Sequence, residues 1–272
     1  MKNIFITGVS SYLGQNLVNH LADYKFYGLI NKSEPQDFPN LEKIYKLPND
    51  IEKFFIQNKI SIIIHLATNS NRIAELNYSN SIFETNINLG TNLLSKSINT
   101  PIEMFISSGS YSQDIYHESE SLYTLSKMCF ERIQYLFSSK YNLKNVSFHL
   151  GDVYGPKDTR DKLIPYLLKN ENNDIVDIKS DGNSLFSPIY IKDVTNQFRK
   201  VIEHSHESKF IIQNVTSELI SVKDFISIYK NTRSKDFKIN YGNTQQSTLS
   251  DIDNFKILEN PQYTLEKGLL EI

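Results

Sequence analysis

Tyr123 and Lys127 have the residue types and the spacing of a proton-transfer pair. They lie four positions apart in LYTLSK, part of a predicted helix, and therefore share one helix face. A phenol has an ordinary pKa of about 10, and a neighbouring ammonium lowers it by favouring the phenolate. Tyr123 would then exchange a proton with a carbonyl or hydroxyl group near neutral pH. Surface helices also carry such pairs without a chemical role, so the surrounding elements decide between the two interpretations.

A second stretch with chemical potential is TGVSSYLG, which follows the apolar run KNIFI. A tight turn at Gly8, close helix packing at Gly14 and a helix amino terminus would together bind a diphosphate. Ser11 stands where such loops usually have glycine, so its Cβ narrows the approach while its hydroxyl can donate to an anion. The alternative is an ordinary strand–turn–helix. The predicted cofactor contacts are Gly8, Ser10, Ser11, Tyr12, Leu13 and Gly14.

The end of the second predicted strand, GLINKS, bears on the type of dinucleotide. It lacks the Asp or Glu that usually binds the ribose hydroxyls of NAD. Lys32 supplies a cation, and Asn31 and Ser33 supply hydrogen-bonding groups, which suits the 2′-phosphate of NADP(H). We predict NADP(H), with NAD(H) as the alternative if Lys32 is only a solvated loop residue. Asp50 is a further candidate for contact with the adenine.

Apolar strands alternate with amphipathic helices in the elements that must position these residues. The strand-like runs are NIFITG, FYGLIN, ISIIIHLAT, EMFISSG and VSFHLGDVYGP. Uninterrupted apolar strands between helices indicate a parallel sheet that is covered on both faces. We predict an α/β fold, a doubly wound parallel Rossmann sheet with a smaller α+β substrate-binding region in the C-terminal part.

The rhythm of strands and helices loosens after Pro156, which suggests a division of the chain. We predict a dinucleotide-binding domain over residues 1–156, with residues 188–209 returning to it. Residues 157–187 and 210–272 would form the substrate-binding region. That region would cover the carboxyl edge of the sheet, where open α/β sheets bind their ligands.

Composition and charge exclude several classes of protein. The net charge of the 272 residues is −2, so the sequence lacks the excess positive charge that is typical of nucleic-acid-binding proteins. Cys129 is the single cysteine, so no disulfide can form within the chain. No apolar run is long enough for a signal peptide or a membrane span, and we predict a cytoplasmic protein without a membrane partner. His204 and His206 have no neighbouring cysteine, and we predict no metal site.

Several motifs follow one another in a familiar order. TGVSSYLG is similar to TGxxGxxG, SIIIHLAT to a strand ending in HLA, and ETNINLGTNLL to a helix with an active-site Asn. FISSGS is similar to the strand with a catalytic Ser or Thr, LYTLSK to the YxxxK helix, and SPIYIKDV to a strand ending in Asp. Together they resemble the extended short-chain dehydrogenase/reductases, the NAD-dependent epimerase/dehydratase family of sugar-nucleotide enzymes, nearly end to end.

The resemblance implies a role for each matched residue. Tyr123 would be the general acid/base, and Lys127 would lower its pKa and contact the nicotinamide ribose. Ser108 would align the reacting oxygen, with Ser110 as the alternative, and Asn86 would hold its helix or a proton-relay water. His65 would pack beside the cofactor. The implied catalytic residues are Ser108, Tyr123, Lys127 and Asn86. The HLA motif adds Leu66 and Ala67 to the cofactor contacts, and Tyr123 and Lys127 also belong to them.

Departures from the family pattern narrow the implied reaction. The 4,6-dehydratases carry Asp–Glu after the catalytic Ser or Thr, where this chain has Gly109 and Ser110. Enzymes making fucose nucleotides use a cysteine near that serine, whereas Cys129 lies beyond Lys127. The nucleotide-linked 4-keto-6-deoxyhexose reductases, such as the CDP-abequose and CDP-paratose synthases, have segments that HLATNS, YTLSKMCF and YGPKDTRDKLIPYLLKN resemble. This implies NADPH-dependent reduction in surface-polysaccharide or deoxysugar biosynthesis. The alternatives are a nucleotide-sugar epimerase and a non-catalytic NADP-sensing protein.

The substrate contacts are less constrained by the motifs. Phe186 and His149 stand where the family often has arginine, one of these arginines binding the nucleotide diphosphate. Arg160, Lys162 or Lys169 would bind the diphosphate instead. The predicted substrate-binding residues are Ser110, Arg160 and Lys162. Helix pairing in many relatives further implies a homodimer.

Overall fold

The computed structural model describes residues 2–70, 76–115, 121–141, 143–204, 207–244 and 255–272. Within them the apolar runs form strands, because β-branched and aromatic side chains pack well on a buried pleated surface. The strands are β1 (Asn3–Thr7), β2 (Lys25–Leu29), β3 (Leu41–Ile44), β4 (Ile60–His65), β5 (Met104–Ser110), β6 (Lys144–Leu150), β7 (Asp152–Tyr154), β8 (Ile175–Ser180), β9 (Leu185–Phe186), β10 (Pro188–Tyr190), β11 (Phe210–Val215), β12 (Ile220–Ser221) and β13 (Lys238–Thr244).

Several helices begin next to a residue whose side chain caps them. The hydroxyls of Ser11 and Ser121 and the carboxylate of Asp50 each accept a hydrogen bond from the amide three residues later. The helices are α1 (Tyr12–His20), α2 (Ile51–Gln57), α3 (Leu76–Phe83), a π-helical turn (Glu84–Asn88), α4 (Leu89–Ser97), α5 (Ser112–Ile115), α6 (Leu122–Lys140), α7 (Leu163–Asn170), α8 (Ile191–Glu203), α9 (Val222–Arg233) and α10 (Leu265–Leu270).

A seven-stranded sheet in the order β11-β6-β5-β4-β1-β2-β3 organises the first part of the chain. The pairs β3–β2, β2–β1, β1–β4 and β4–β5 are parallel. From β1 the chain runs outward to β2 and β3, and then crosses back to β4 on the other side of β1. This reversal makes the carboxyl ends of β1 and β4 a topological switch point, where such sheets bind ligands. The predicted doubly wound Rossmann sheet is confirmed.

Both faces of the sheet are covered. Consecutive residues Ile4, Phe5 and Ile6 are fully buried, and so are Ile62–Ile64. Because successive side chains of a strand point to opposite faces, this pattern requires helices on both sides. On one face, the ring of Phe5 packs edge-on against Phe55 of α2, with centroids 5.4 Å apart.

The chain divides into two compact units. The first comprises Met1–His149 with Phe198–Gln213, and the second comprises Leu150–Gln197 with Asn214–Ile272. The boundaries expected from the sequence lie at residues 156, 188 and 210. The start of β11 belongs to the first unit, because this strand joins the edge of the large sheet beside β6. The strand β10 and the start of α8 belong to the second unit, where β10 pairs with β7.

The second unit combines helices with small two-stranded sheets. These are β7–β10 and β8–β13, which are parallel, and β9–β12, which is antiparallel. The side chains of Phe225 and Tyr229 on α9 are buried, and Glu171 binds Arg233 and Lys235 through ion pairs.

In the described ranges, no helix combines the length and the apolar character that crossing a membrane requires.

Candidate active site

The loop after β1 has the shape that its sequence predicts. Gly8 adopts a φ of +70°, and a Cβ added there would lie 2.7 Å from the backbone nitrogen of Ala67. A side chain is thus excluded both by conformation and by the backbone that follows β4. The Ser11 hydroxyl caps α1 by accepting from the Gly14 amide at 3.0 Å. Its proton remains able to donate to an anion.

A cavity of about 810 Å³ opens at the carboxyl ends of β1, β2 and β4. It is lined by Gly8, Ser10, Ser11, Asn31, Lys32, Ser33, Leu66 and Ala67, eight of the predicted cofactor contacts. Tyr12, Leu13 and Gly14 begin α1 and do not line it. The volume and the mixed polar and apolar lining are suitable for a large nucleotide ligand.

Other lining residues were not expected from the motifs. Tyr45, Lys46 and Leu47 follow β3, and Glu84, Asn88 and Asn92 come from the π-helical turn and α4. The signal for Lys46 is topological: β3 is parallel to β2, so the residues after both strands meet at one edge. Asp50, the candidate adenine contact, does not line the cavity and caps α2 by accepting from the Lys53 amide.

Lys127 and Tyr123 lie together on α6, as their spacing predicts. The Lys127 Nζ is 5.8 Å from the centre of the Tyr123 ring, and it donates to the backbone carbonyl of Ser108 at 2.8 Å. Burial lowers the pKa of Lys127 to about 8, so the ammonium still predominates at neutral pH. A cation is therefore held between the phenol ring and the end of β5.

Ser108 and Ser110 differ in how their hydroxyls are used. The Ser108 hydroxyl has no hydrogen-bond partner among the described residues. The Ser110 hydroxyl is buried and accepts from the Ser112 hydroxyl at 2.9 Å, while Ser112 also lies 3.3 Å from the Thr124 hydroxyl. Ser108 is only partly buried, whereas Ser110 is buried with its hydroxyl against that of Ser112, and this difference favours Ser108 for contact with a substrate oxygen.

Asn86, in the π-helical turn, makes four hydrogen bonds with its side chain. Its amide oxygen accepts from the Thr68 hydroxyl at 3.1 Å and from the Asn69 amide at 2.7 Å. Its amide nitrogen donates to the Asn69 carbonyl at 3.0 Å and to the Ser126 hydroxyl at 2.9 Å. These bonds use both donors and both acceptor sites of the side chain. They favour the holding role over the relay role, since Asn86 ties the segment after β4 to α6.

His65, at the end of β4, is buried and lies 2.7 Å from the Thr7 hydroxyl through Nδ1. Burial, together with the Lys127 charge, lowers the pKa of His65 to about 3. The imidazole is therefore neutral, and it packs edge-on against Phe130. This environment agrees with a packing role.

The predicted diphosphate contacts lie in the second unit. The Arg160 guanidinium donates to both oxygens of Asp158, at 2.8 and 2.7 Å, and to the Val153 carbonyl. Lys162 and Lys169 are exposed. Phe186 packs against the ring of Phe225, with centroids 5.1 Å apart.

Across the described ranges, no cluster of His, Cys, Asp and Glu has the geometry of a metal site. His204 lies at the end of α8, with its Nδ1 2.8 Å from the Lys200 carbonyl oxygen. His206 lies outside the described residues.

Comparison with known proteins adds independent information. A family profile described as "NAD dependent epimerase/dehydratase family" matches residues 4–215. A CDP-abequose synthase of Salmonella muenchen is 27% identical over 255 residues, covering 89% of this chain and 84% of that protein. A trifunctional UDP-glucose 4,6-dehydratase/UDP-4-keto-6-deoxy-D-glucose 3,5-epimerase/UDP-4-keto-L-rhamnose-reductase of Arabidopsis thaliana is 26% identical over 237 residues. They cover 74% of this chain and 35% of that protein.

Solved structures share the fold over nearly the whole chain. MoeE5 in complex with UDP-glucuronic acid and NAD superposes with a TM-score of 0.83 at 17% identity, covering 99% of this chain and 97% of that chain. A UDP-N-acetylglucosamine 4-epimerase from Methanobrevibacter ruminantium, in complex with UDP-N-acetylmuramic acid, gives 0.83 at 21% identity, with coverage of 99% and 96%. At 17% and 21% identity, these two structures show that the chain shares their fold.

Proposed function

Because the chain belongs to the NAD-dependent epimerase/dehydratase family and is an NAD(P)-dependent enzyme of it, we propose that it reduces a nucleotide-linked 4-keto-6-deoxy sugar with NADPH. The observation that carries the proposal is the arrangement of three groups in the first unit. The Lys127 ammonium lies beside the Tyr123 ring and holds the Ser108 carbonyl, and the Ser108 hydroxyl is available. These are the groups that reduction of a ketone requires.

In the proposed mechanism the protein supplies alignment and a proton. The Ser108 hydroxyl donates a hydrogen bond to the substrate carbonyl oxygen and stabilises the negative charge that develops there. Tyr123 gives its phenolic proton to the same oxygen as the alcohol forms. The Lys127 ammonium stabilises the phenolate that remains. NADPH, when bound, supplies the hydride.

The cavity of the first unit fits a dinucleotide. Gly8 leaves the space beside the Ala67 backbone free of a side chain, and the amino terminus of α1 faces that loop. Lys32 and Lys46 line the same cavity after neighbouring parallel strands. Two cations at this place support NADP(H), because the 2′-phosphate adds negative charge that NAD(H) lacks.

Two relatives bear on the choice of reaction. The CDP-abequose synthase matches over most of its length, which supports a reductase acting on a 4-keto sugar nucleotide. The solved UDP-N-acetylglucosamine 4-epimerase shares the fold, which supports a nucleotide-sugar epimerase as the second candidate. Gly109 and Ser110 provide no acid/base pair next to Ser108, so elimination to a 4-keto-6-deoxy product has no such groups there.

The decisive experiment is oxidation of NADPH and NADH with CDP-, dTDP- and GDP-linked 4-keto-6-deoxy sugars. A reductase consumes one NADPH for each alcohol formed. An epimerase interconverts 4-hydroxy sugar nucleotides with no net change in absorbance at 340 nm. Absence of both reactions, with saturating cofactor bound, would support the non-catalytic alternative.

Two serine variants test the assignment of the hydrogen-bond donor. Ser108→Ala is expected to lower kcat about 100-fold or more, the loss typical of one donor to a developing oxyanion. Ser110→Ala, at a hydroxyl that is already engaged, should lower kcat by less. A larger loss in Ser110→Ala would transfer the role to Ser110.

In Tyr123→Phe, an unchanged kcat would contradict the proton-donor role.

The cofactor preference has its own test. The double variant Lys32→Ala/Lys46→Ala should raise the Kd for NADPH about tenfold and leave that for NADH nearly unchanged, measured by fluorescence titration. Lys53→Ala is the matched control, since Lys53 is an exposed lysine that does not line the cavity. Equal losses for both cofactors would argue against a 2′-phosphate site.

We also propose that the protein is a cytoplasmic homodimer. The helix α6 leaves Leu125, Tyr135 and Leu136 exposed, at 41%, 56% and 47% of their surface. Apolar groups along one long helix would be covered by a second copy. Light scattering after size-exclusion chromatography tests this proposal, and a monomer of 31.5 kDa at micromolar concentration would contradict it.

A further inference from the structure

His149, the penultimate residue of β6, lies buried between two carboxylates of the first unit. Its Nδ1 is 2.8 Å and 2.9 Å from the two oxygens of Asp114 on α5. Its Nε2 makes a short contact with the Glu131 carboxylate on α6. Glu131 also accepts from the Ser147 hydroxyl at 2.8 Å. Only 3% of the His149 side chain is exposed, so water cannot replace these partners.

This geometry fixes the protonation of His149. A neutral imidazole has a single N–H, whereas both ring nitrogens here face a carboxylate oxygen. The imidazolium donates to both and is the form that satisfies the site. Burial alone lowers the pKa of His149, but the hydrogen bonds to Asp114 and Glu131 outweigh it and raise the pKa to about 9. For Glu131, burial alone would raise the pKa. The hydrogen bond from His149 outweighs burial and holds the pKa of Glu131 below its usual range.

The same cluster contacts the backbone that carries Ser108. The Gln113 side chain accepts from the Ser110 amide at 2.8 Å and donates to Glu131 at 3.4 Å. A Cβ added to Gly109 would lie 2.6 Å from the Gln113 oxygen and 2.8 Å from the His149 ring. Residues 108–110 are thus held on one side by Lys127, through the Ser108 carbonyl, and on the other by Gln113 and His149.

We propose that His149, as an imidazolium shared by Asp114 and Glu131, is a positioning residue for Ser108. It keeps Glu131 where Gln113 can bridge it to the Ser110 amide, and its ring supports Gly109. Its role in turnover rests on the proposed function, because Ser108 is the group that it positions. Among the described residues, the charged groups that face it are Asp114 and Glu131, and Arg132 acts on Glu131 through space.

Nuclear magnetic resonance tests the coupling without any substrate. The only Gly–Ser dipeptide of the sequence is Gly109–Ser110, so ¹³C-carbonyl glycine combined with ¹⁵N-serine selects the Ser110 amide alone. Its chemical shift should change with the same midpoint, near pH 9, as the ring nitrogens of His149. In His149→Arg, which keeps a permanent cation, this step should disappear. A step near pH 8 from Lys127 should remain in both proteins.

Turnover provides the second readout. His149→Gln should lower kcat about 10- to 100-fold with little change in KM, since a displaced Ser108 is a loss of alignment. His149→Arg should restore most of kcat, while the alkaline limit, set by loss of the Lys127 proton near pH 8, should stay the same in both proteins. His204→Gln makes the same change at an exposed histidine and should leave kcat unchanged.

Three results would overturn the proposal. One is a Ser110 amide that titrates identically in the wild type and in His149→Arg. Another is a His149 ring with the ¹⁵N shifts of a neutral imidazole at pH 7. The third is a kcat of His149→Gln within threefold of the wild type. Should the protein turn over no sugar nucleotide, the resonance experiment would still decide the coupling, so failure of the proposed function is distinguishable.

Discussion

Lys127 and His149 are both buried basic groups, and they hold the segment 108–110 from two sides. The pKa of Lys127 is lowered to about 8, whereas that of His149 is raised to about 9. Burial disfavours the charged form of each. The difference arises from the partners: the Lys127 ammonium donates to a neutral carbonyl, and His149 donates to two carboxylates. One cation is left weakly paired next to a phenol, and the other is fully paired behind the backbone.

This contrast separates a group used for chemistry from a group used for positioning. A cation paired with a carboxylate has little field left to stabilise a phenolate nearby. A cation paired only with a neutral carbonyl can still stabilise a phenolate. Its burial is then not compensated by a carboxylate, so its pKa is lowered. Variants of Lys127 and of His149 therefore test the chemical role and the positioning role separately.

The largest expected effect comes from removing the Lys127 charge. Lys127→Met should lower kcat about 100- to 10,000-fold, because Tyr123 then loses the ammonium that stabilises its phenolate. Steady-state kinetics measures the loss, and circular dichroism checks that the fold is kept. A kcat within threefold of the wild type would remove Lys127 from the mechanism.

Removing the His149 charge should act on stability. In His149→Gln, two buried carboxylates lose their shared cation, and the free energy of unfolding should fall by about 3 kcal/mol, as when one partner of a buried ion pair is removed. Urea denaturation measures the change. His204→Gln, at an exposed site, should stay within about 0.5 kcal/mol of the wild type.

The two groups should give opposite slopes of stability against pH. His149 binds a proton more tightly in the folded state, so its contribution is fully present below pH 6.5 and is lost as the pH rises through about 9. Lys127 binds its proton less tightly in the folded state, so it adds stability as the pH rises from about 8 to 10.5. Unfolding in urea between pH 6 and 10 should show the decline removed in His149→Arg and the later rise removed in Lys127→Met. Unchanged slopes in both variants would contradict the assignments.

A smaller change sharpens the account of Glu131. Ser147→Ala removes a neutral donor from this carboxylate and leaves His149 in place. The expected loss of stability is about 1 kcal/mol, the net value of a typical hydrogen bond. The His149 midpoint should stay close to 9 in a histidine-resolved titration. A midpoint near 6.5 would mean that Ser147, rather than the carboxylates, sustains the imidazolium.

The sheet, the turn at Gly8 and the Tyr123–Lys127 pair could be predicted from short stretches of the sequence. The runs Ile4–Ile6 and Ile62–Ile64 have no polar interruption, which is typical of strands buried on both faces. Gly8 and the Tyr123–Lys127 pair need only their neighbours in sequence to be interpreted. In the structure Gly8 has a φ of +70°, and Tyr123 and Lys127 share α6.

The His149 cluster depends on pairings that sequence spacing does not specify. Asp114 and Glu131 come from different helices, and each meets His149 only after β6 joins β5 in the sheet. A partial signal was present: Asn145, Ser147 and His149 alternate along an apolar strand, which marks a polar stripe on one face. The limits of the two compact units depend on strand pairing in the same way, since β11 joins the edge of the large sheet and β10 pairs with β7.

The capping bond of Ser11 affects the entropy of cofactor binding. A loop of glycines is ordered by the anion that it binds, and binding then includes the entropy of that ordering. Here the Ser11 hydroxyl already fastens the turn to the Gly14 amide. A bond within the chain thus holds the turn, and in the proposed reduction, where NADPH is released in every cycle, binding would not include the entropy of ordering this turn.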